Sequence, residues 1–186
     1  LPPPYNNTGW RKISLWASKL PGMEGDWLFL DLDVIVTGTL DDFFDFEPEK
    51  TFVVMQNWTQ PGQGIGNTSV FRFRVGKHPY IYDRLAPEFK SILASHNNEQ
   101  IYISRTVSEM AFWPDEWCAL FKTHCIPPMP QRWWKAPTRP ESAHVIAFPG
   151  DPNPPDAVLG IWPAKWYKRL YKHILPAKWI AEYWHE

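Results

Sequence analysis

Residues 27–36 read Trp-Leu-Phe-Leu-Asp-Leu-Asp-Val-Ile-Val, a nearly continuous apolar run interrupted by two acids, and no other stretch limits the fold so strongly. Such a run predicts a central β-strand buried on both faces of a parallel or mixed sheet. Asp31 and Asp33 are one residue apart, so in extended backbone both side chains leave the same face. Two like charges in an apolar strand are costly unless a cation compensates them. A divalent metal is the simplest such cation. Oxygen donors suit Mg²⁺ or Mn²⁺, and an ion held by carboxylates also grips substrate phosphates. The plainer alternative is that both acids sit at the strand end and are solvated.

The rest of the chain alternates helical and extended patterns. Trp10, Ile13, Trp16, Ala17 and Leu20 recur at helical spacing after an extended Leu-Pro-Pro-Pro opening, with Asn7 or Thr8 as N-cap and Pro21-Gly22 as the stop. Beyond the acidic strand, the pattern predicts a short helix over 40–46, a strand over 52–55, a Gly-rich loop over 61–66 and a strand over 69–75. Helices are expected over 80–85, after Pro87, and over 98–110 with Asn98 as cap. The Pro- and Trp-rich stretch 113–140 reads as loop with a short strand near 120–125, followed by a strand over 145–148 and a partly helical tail. This alternation predicts an α/β fold. The 186 residues suit one domain, taken as 1–159, with a basic and aromatic tail over 160–186.

The formal net charge of −1 supplies no global basic field, which argues against a nucleic-acid partner. The two cysteines, Cys118 and Cys125, have neither metal-ligand spacing nor the density of a secreted disulfide scaffold, so a reducing cytoplasm is the expected compartment. Sequons begin at Asn6, Asn57 and Asn67, and without a secretory route they carry little weight. No apolar run is long enough to span a bilayer.

The segment Trp-Leu-Phe-Leu-Asp-Leu-Asp-Val-Ile-Val-Thr-Gly-Thr-Leu-Asp-Asp-Phe-Phe, residues 27–44, resembles the D-x-D region of GT-A-type glycosyltransferases of the glycogenin-like and bacterial galactosyltransferase-like family. The resemblance implies that Asp31 and Asp33 bind a metal, Mn²⁺ or Mg²⁺, together with the diphosphate of a nucleotide sugar. Three further elements follow in the family's order. Asn67-Thr68-Ser69-Val70 is similar to an Asn-Ser-Gly-Val element near the donor sugar, which implies donor contacts for Asn67 and Ser69. Glu99-Gln100 resembles the family's Asp-Gln pair, with Glu in place of Asp, whose acid accepts hydrogen bonds from sugar hydroxyls, which implies a catalytic role for both residues. Phe148-Pro-Gly-Asp-Pro-Asn-Pro154 resembles the closing His-Phe-x-Gly-x-x-Lys-Pro motif, which puts Gly150 and Asn153 against the donor. The fold implied is a GT-A-like mixed sheet with flanking helices. The activity implied is metal-assisted transfer of a sugar from a nucleotide-diphosphate sugar to a glycan or lipid-linked acceptor.

The chain departs from the family at two places. The family's metal-binding His falls on Ala147 and its diphosphate-binding Lys on Asn153. His144 is the nearest histidine, but an offset of three residues along a strand aims it at the opposite face. Only 26 residues precede Trp27, whereas the family places about two βαβ units there, so most of the nucleotide-binding half is expected to be missing.

Two other readings compete. A phosphohydrolase of the haloacid dehalogenase type would use Asp31 as nucleophile, Asp33 as acid/base and Asp151 with Asp156 on Mg²⁺; three prolines crowd that acid loop. A degenerate carbohydrate-binding domain would account for the missing His and Lys. The tail adds an expectation of its own. Lys165, Lys168, Arg169, Lys172 and Lys178 interleave with Trp162, Trp166, Tyr167, Tyr171, Trp179, Tyr183 and Trp184, a mixture suited to the surface of an anionic membrane on its inner face.

Overall fold

The computed structural model describes residues 9–184. The expected opening segment, the caps Asn7 and Thr8 and the sequon at Asn6 lie outside the described residues. The chain forms two compact units: one takes the described residues up to Phe29 together with Asp42–Trp113, and the other takes Leu30–Asp41 with the chain from Pro114 onward.

The first unit is built on a four-stranded mixed sheet. Its strands are β1 (Asp26–Leu30), β3 (Phe52–Gln56), β4 (Gly66–Arg74) and β5 (Ala111–Phe112), in the order β1-β4-β3-β5. β3 runs antiparallel to β4 and parallel to β5. The helices α1 (Asp42–Asp45), α2 (Tyr80–Asp83), α3 (Leu85–Ser95) and α4 (Glu99–Thr106) belong to the same unit. The Asn98 side chain caps α4, accepting the Ile101 amide at 3.0 Å.

The first helical segment is a 3₁₀ helix over Gly9–Trp16, and its buried residues are Trp10, Ile13 and Trp16. A strict spacing of three matches three residues per turn, which stacks these side chains on one line. Ala17 and Leu20 fall beyond it, so the expected longer helix is not formed. Trp16 lies edge-on to Phe52 at 4.9 Å and stacks on Phe71 at 6.0 Å, joining the segment to the sheet. Burying a side chain of this size contributes about 2–3 kcal/mol from apolar area.

Arg72 is the least expected part of this core. It is only 1% exposed, and its guanidinium donates to the carbonyls of Phe43, Phe44, Phe46, Glu47 and Lys50 at 2.7–3.1 Å. These are carbonyls of α1 and the turn after it, which a four-residue helix cannot satisfy internally. Burial lowers the Arg72 pKa, yet a guanidinium stays charged at any accessible pH.

The second unit holds a three-stranded mixed sheet in the order β2-β7-β6, from β2 (Val34–Val36), β6 (Cys118–Leu120) and β7 (Val145–Ala147). β7 is central, antiparallel to β2 and parallel to β6. The strand expected near 120–125 ends at Leu120, and residues Phe121–Cys125 coil into one π-helical turn. His124 Nδ1 accepts the Leu120 amide at 2.9 Å, which satisfies the last strand donor from within the turn. Burial lowers the His124 pKa, in keeping with a neutral ring that accepts.

After α5 (Pro154–Leu159) the tail runs through 3₁₀ turns at Trp166–Lys168 and Lys178–Glu182. Its Ile174, Ala177 and Ile180 are buried in one cluster with Phe121, Ile146, Phe148 and Ala157. The tail thus completes this unit's core while leaving Trp166 81% and Leu170 72% exposed.

Candidate donor site

The acidic run is not one strand. β1 ends at Leu30 and β2 begins at Val34, in a different sheet, so Asp31-Leu32-Asp33 is a turn closed by the Val34 amide on the Asp31 carbonyl at 3.2 Å. Both strands lie at sheet edges and are only partly buried, contrary to the central, doubly buried strand expected. Leu32 is fully exposed, and Asp31 and Asp33 are half-buried. The apolar run serves two sheets in succession, which is why it looked continuous. The two acids therefore keep access to water, and the case for a compensating cation rests on their chemistry rather than on deep burial.

Asp33 is tied to the closing loop. Its carbonyl accepts the Phe148 amide at 2.8 Å, continuing the ladder in which Val34 faces Ala147. Ala147 is buried and brings no donor atom where the resemblance calls for a histidine. His144 does not take its place. It lies beyond Val145, the partner of Val36, at the other end of the ladder, about 13 Å of extended chain from Asp33. There its Nδ1 donates to the Thr39 carbonyl at 2.7 Å, and its ring packs against Trp117.

Gly150 adopts a positive φ of 64°, which lets the loop turn away from β7. Asn153 starts α5 through its carbonyl, which accepts the Ala157 amide at 2.9 Å, and its side chain makes no cap bond. A group that the sequence reading missed stands beside this loop. Lys122, from the π-helical turn, donates its ammonium to the Pro149 carbonyl. Its pKa is lowered chiefly by burial and then by Lys172, with Asp151 and Asp33 opposing the shift. Only an isolated lysine within an apolar segment hinted at it in the sequence.

Among the described residues no group of three or more His, Cys, Asp and Glu could hold a metal. Asp31 and Asp33 offer oxygen donors on a partly exposed turn. That set fits an ion of the Mg²⁺ type, which binds through one or two carboxylates and completes its shell with water and substrate phosphates.

The other predicted residues come together in the first unit. Between Val54 and Met55 the partner in β4 jumps from Phe71 to Asn67, so Thr68, Ser69 and Val70 form a bulge. Bulges free backbone groups from the ladder, and here the start of α4 supplies substitutes. The Thr68 amide donates to Gln100 Oε1 and its hydroxyl to Glu99 Oε1, both at 3.3 Å, and the Ser69 amide donates to Asn67 Oδ1 at 2.9 Å. Lys12 donates to the Thr68 carbonyl at 3.0 Å and lies 3.9 Å from Glu99. Glu99 is 7% exposed and Asn67 8%. Asn57 and Asn67, the described sequon asparagines, are both buried with side chains bonded locally, so the folded chain does not present them to a glycosylating enzyme.

No family model matches the chain, and no curated protein sequence matches it. Solved structures do. The galactosyltransferase LgtC, in complex with donor and acceptor sugar analogues, aligns with a TM-score of 0.56 over 94% of this chain and 70% of its own, at 13% identity. The chain has a glycosyltransferase-type fold. The glycosyltransferase GlyE of Streptococcus pneumoniae TIGR4 also aligns, over 71% of this chain at 18% identity and a TM-score of 0.49, and the chain spans about a third of GlyE's length, 36%.

Proposed function

We propose that the chain forms part of a glycosyltransferase that moves a sugar from a nucleotide-diphosphate sugar to a glycan or lipid-linked acceptor. The observation that carries this reading is a glycosyltransferase-type fold in which Asp31 and Asp33 flank an exposed turn at the end of β1. Fold alone does not assign chemistry, so the reading rests on that site. Asp31 and Asp33 would hold Mn²⁺ or Mg²⁺, whose charge offsets that building on the departing nucleoside diphosphate. Gly150 and Asn153 would approach the donor from the closing loop. In the first unit, Asn67 and Ser69 would contact the donor, while Glu99 and Gln100 keep the bulge in shape and present the acid to sugar hydroxyls. This reading is preferred to the phosphohydrolase because the matched fold is that of a glycosyltransferase.

Calorimetric titration of the chain with uridine and guanosine diphosphate-sugars, with and without Mn²⁺, tests it. Metal-dependent binding that disappears in Asp31→Asn and Asp33→Asn is expected. A parent chain that binds none of them would sink the enzyme reading in favour of a non-catalytic domain.

A second reading concerns the tail. Trp166, Tyr167, Leu170 and Tyr171 are exposed beside Lys165, Lys168, Arg169 and Lys172. Aromatic and aliphatic groups among cations match the headgroup region of an anionic bilayer, where a lipid-linked acceptor would lie. Among the described residues no helix is long and apolar enough to cross a membrane. Sedimentation with phosphatidylglycerol vesicles should fall in Trp166→Ser/Leu170→Ser. Unchanged sedimentation would remove this surface from consideration.

A further inference from the structure

Resting on the glycosyl-transfer reading, we propose that Lys122 is the cation that holds the donor diphosphate at the turn carrying Asp31 and Asp33. The placement is geometric first. The Lys122 ammonium donates to the Pro149 carbonyl, and a Cβ added to Gly150 would lie 3.7 Å from it, so the charge rests against this loop backbone. The residue just before, Phe148, donates its amide to the Asp33 carbonyl. One short segment therefore connects the ammonium to the acidic turn. Pro149 takes one of the three ammonium donors, and phosphate oxygens are suitable acceptors for the others.

Charge gives the reason a cation is needed. Asp31, Asp33 and Asp151 bring three negative charges to the turn and the loop, and Asn153 is neutral. A divalent ion would leave about one negative charge, which opposes a further anion. Lys122 offsets that charge. Asp33 and Asp151 favour the charge on Lys122 while Lys172 disfavours it, and an arriving diphosphate would add to the favourable side. The sequence offers no cation at Asn153, and the structure supplies one from a different segment.

The test is Mn²⁺-dependent binding of inorganic pyrophosphate, uridine diphosphate and guanosine diphosphate to the full 186-residue chain, by calorimetry at two salt concentrations. Lys122→Met should weaken all three by about tenfold or more and flatten the salt dependence, as expected for one lost charge-assisted contact. Lys122→Arg should stay within about threefold of the parent. Mn²⁺ affinity without nucleotide should not fall in Lys122→Met, because losing a neighbouring positive charge does not repel a cation. If Lys122→Met binds pyrophosphate like the parent, the Lys122 assignment fails and the glycosyl-transfer reading stands. The assignment also fails if Lys122→Met loses Mn²⁺ and pyrophosphate alike, because Lys122 would then only hold the turn in shape. A parent that binds none of the three anions removes both.

Discussion

Replacing Arg72 by Ala strips one buried guanidinium from five carbonyl acceptors at 2.7–3.1 Å. Hydrogen bonds to a charged group contribute roughly 1.5–3 kcal/mol each, but five made by one side chain are not additive, and some of these carbonyls keep a second partner. The Glu47 carbonyl still accepts the Lys50 amide at 2.9 Å, for example. Removing one side of a buried charged network typically costs about 3–5 kcal/mol, and the cavity left beneath α1 places this site at the upper end. For a chain of this size that is a fall of about 10 °C or more in melting temperature. Because the chain forms two compact units, one melting midpoint is not a clean measure of either, and the sharper assay is hydrogen exchange of amides 42–50 beside a urea melt. Exchange in that segment should rise in Arg72→Ala before the rest of the first unit opens. Arg72→Lys should recover less than half the loss, since one ammonium cannot span acceptors from Phe43 to Lys50. A variant within about 1 kcal/mol of the parent, with unchanged exchange at 42–50, would refute the reasoning.

Acid should destabilise the fold through its buried histidine, His78. The ring is 6% exposed and bonded to Thr51 and Tyr80, and burial lowers its pKa. The unfolded chain therefore binds this proton first, so the stability it contributes is present above the unfolded value near 6.5 and is lost as pH falls through the lower folded value. Urea midpoints between pH 7.5 and 5 should fall, and more weakly in His78→Gln; an equal fall in both would dismiss His78 as a source. Burial pushes the Cys125 thiol up to about 12 and Cys118 higher still, so neither should react with a disulfide reagent at pH 8 until the chain unfolds. Rapid native labelling would contradict that burial. Gly160 sits at φ 73°, where a Cβ would meet Pro176 at 2.8 Å, so Gly160→Ala should destabilise the second unit by about 2 kcal/mol or more on a denaturant melt.

Local chemistry was readable from the sequence where neighbours in the chain decide it. The cap at Asn98, the helices after Pro79 and Pro87 and the strands over Phe52–Gln56 and Val145–Ala147 follow from spacing and side-chain preference. The alternation of elements gave an α/β class consistent with the matched fold. The two acids stood out because carboxylates in an apolar run are rare. What needed the tertiary structure was every contact between distant segments. Partition of the 27–36 run between two sheets depends on β4 pairing β1 and β7 pairing β2, which no local pattern encodes. Nothing in the 69–75 strand pattern marks Arg72 as the residue around whose guanidinium the α1 carbonyls close. Lys122 came to the acidic turn because residues far apart in sequence share the Pro149 loop, and chain separation carries no trace of such proximity. The sequence by itself thus determined which side chains carry charge and where along the chain they fall, and folding decided which of them stand together, since electrostatic contact follows distance in space.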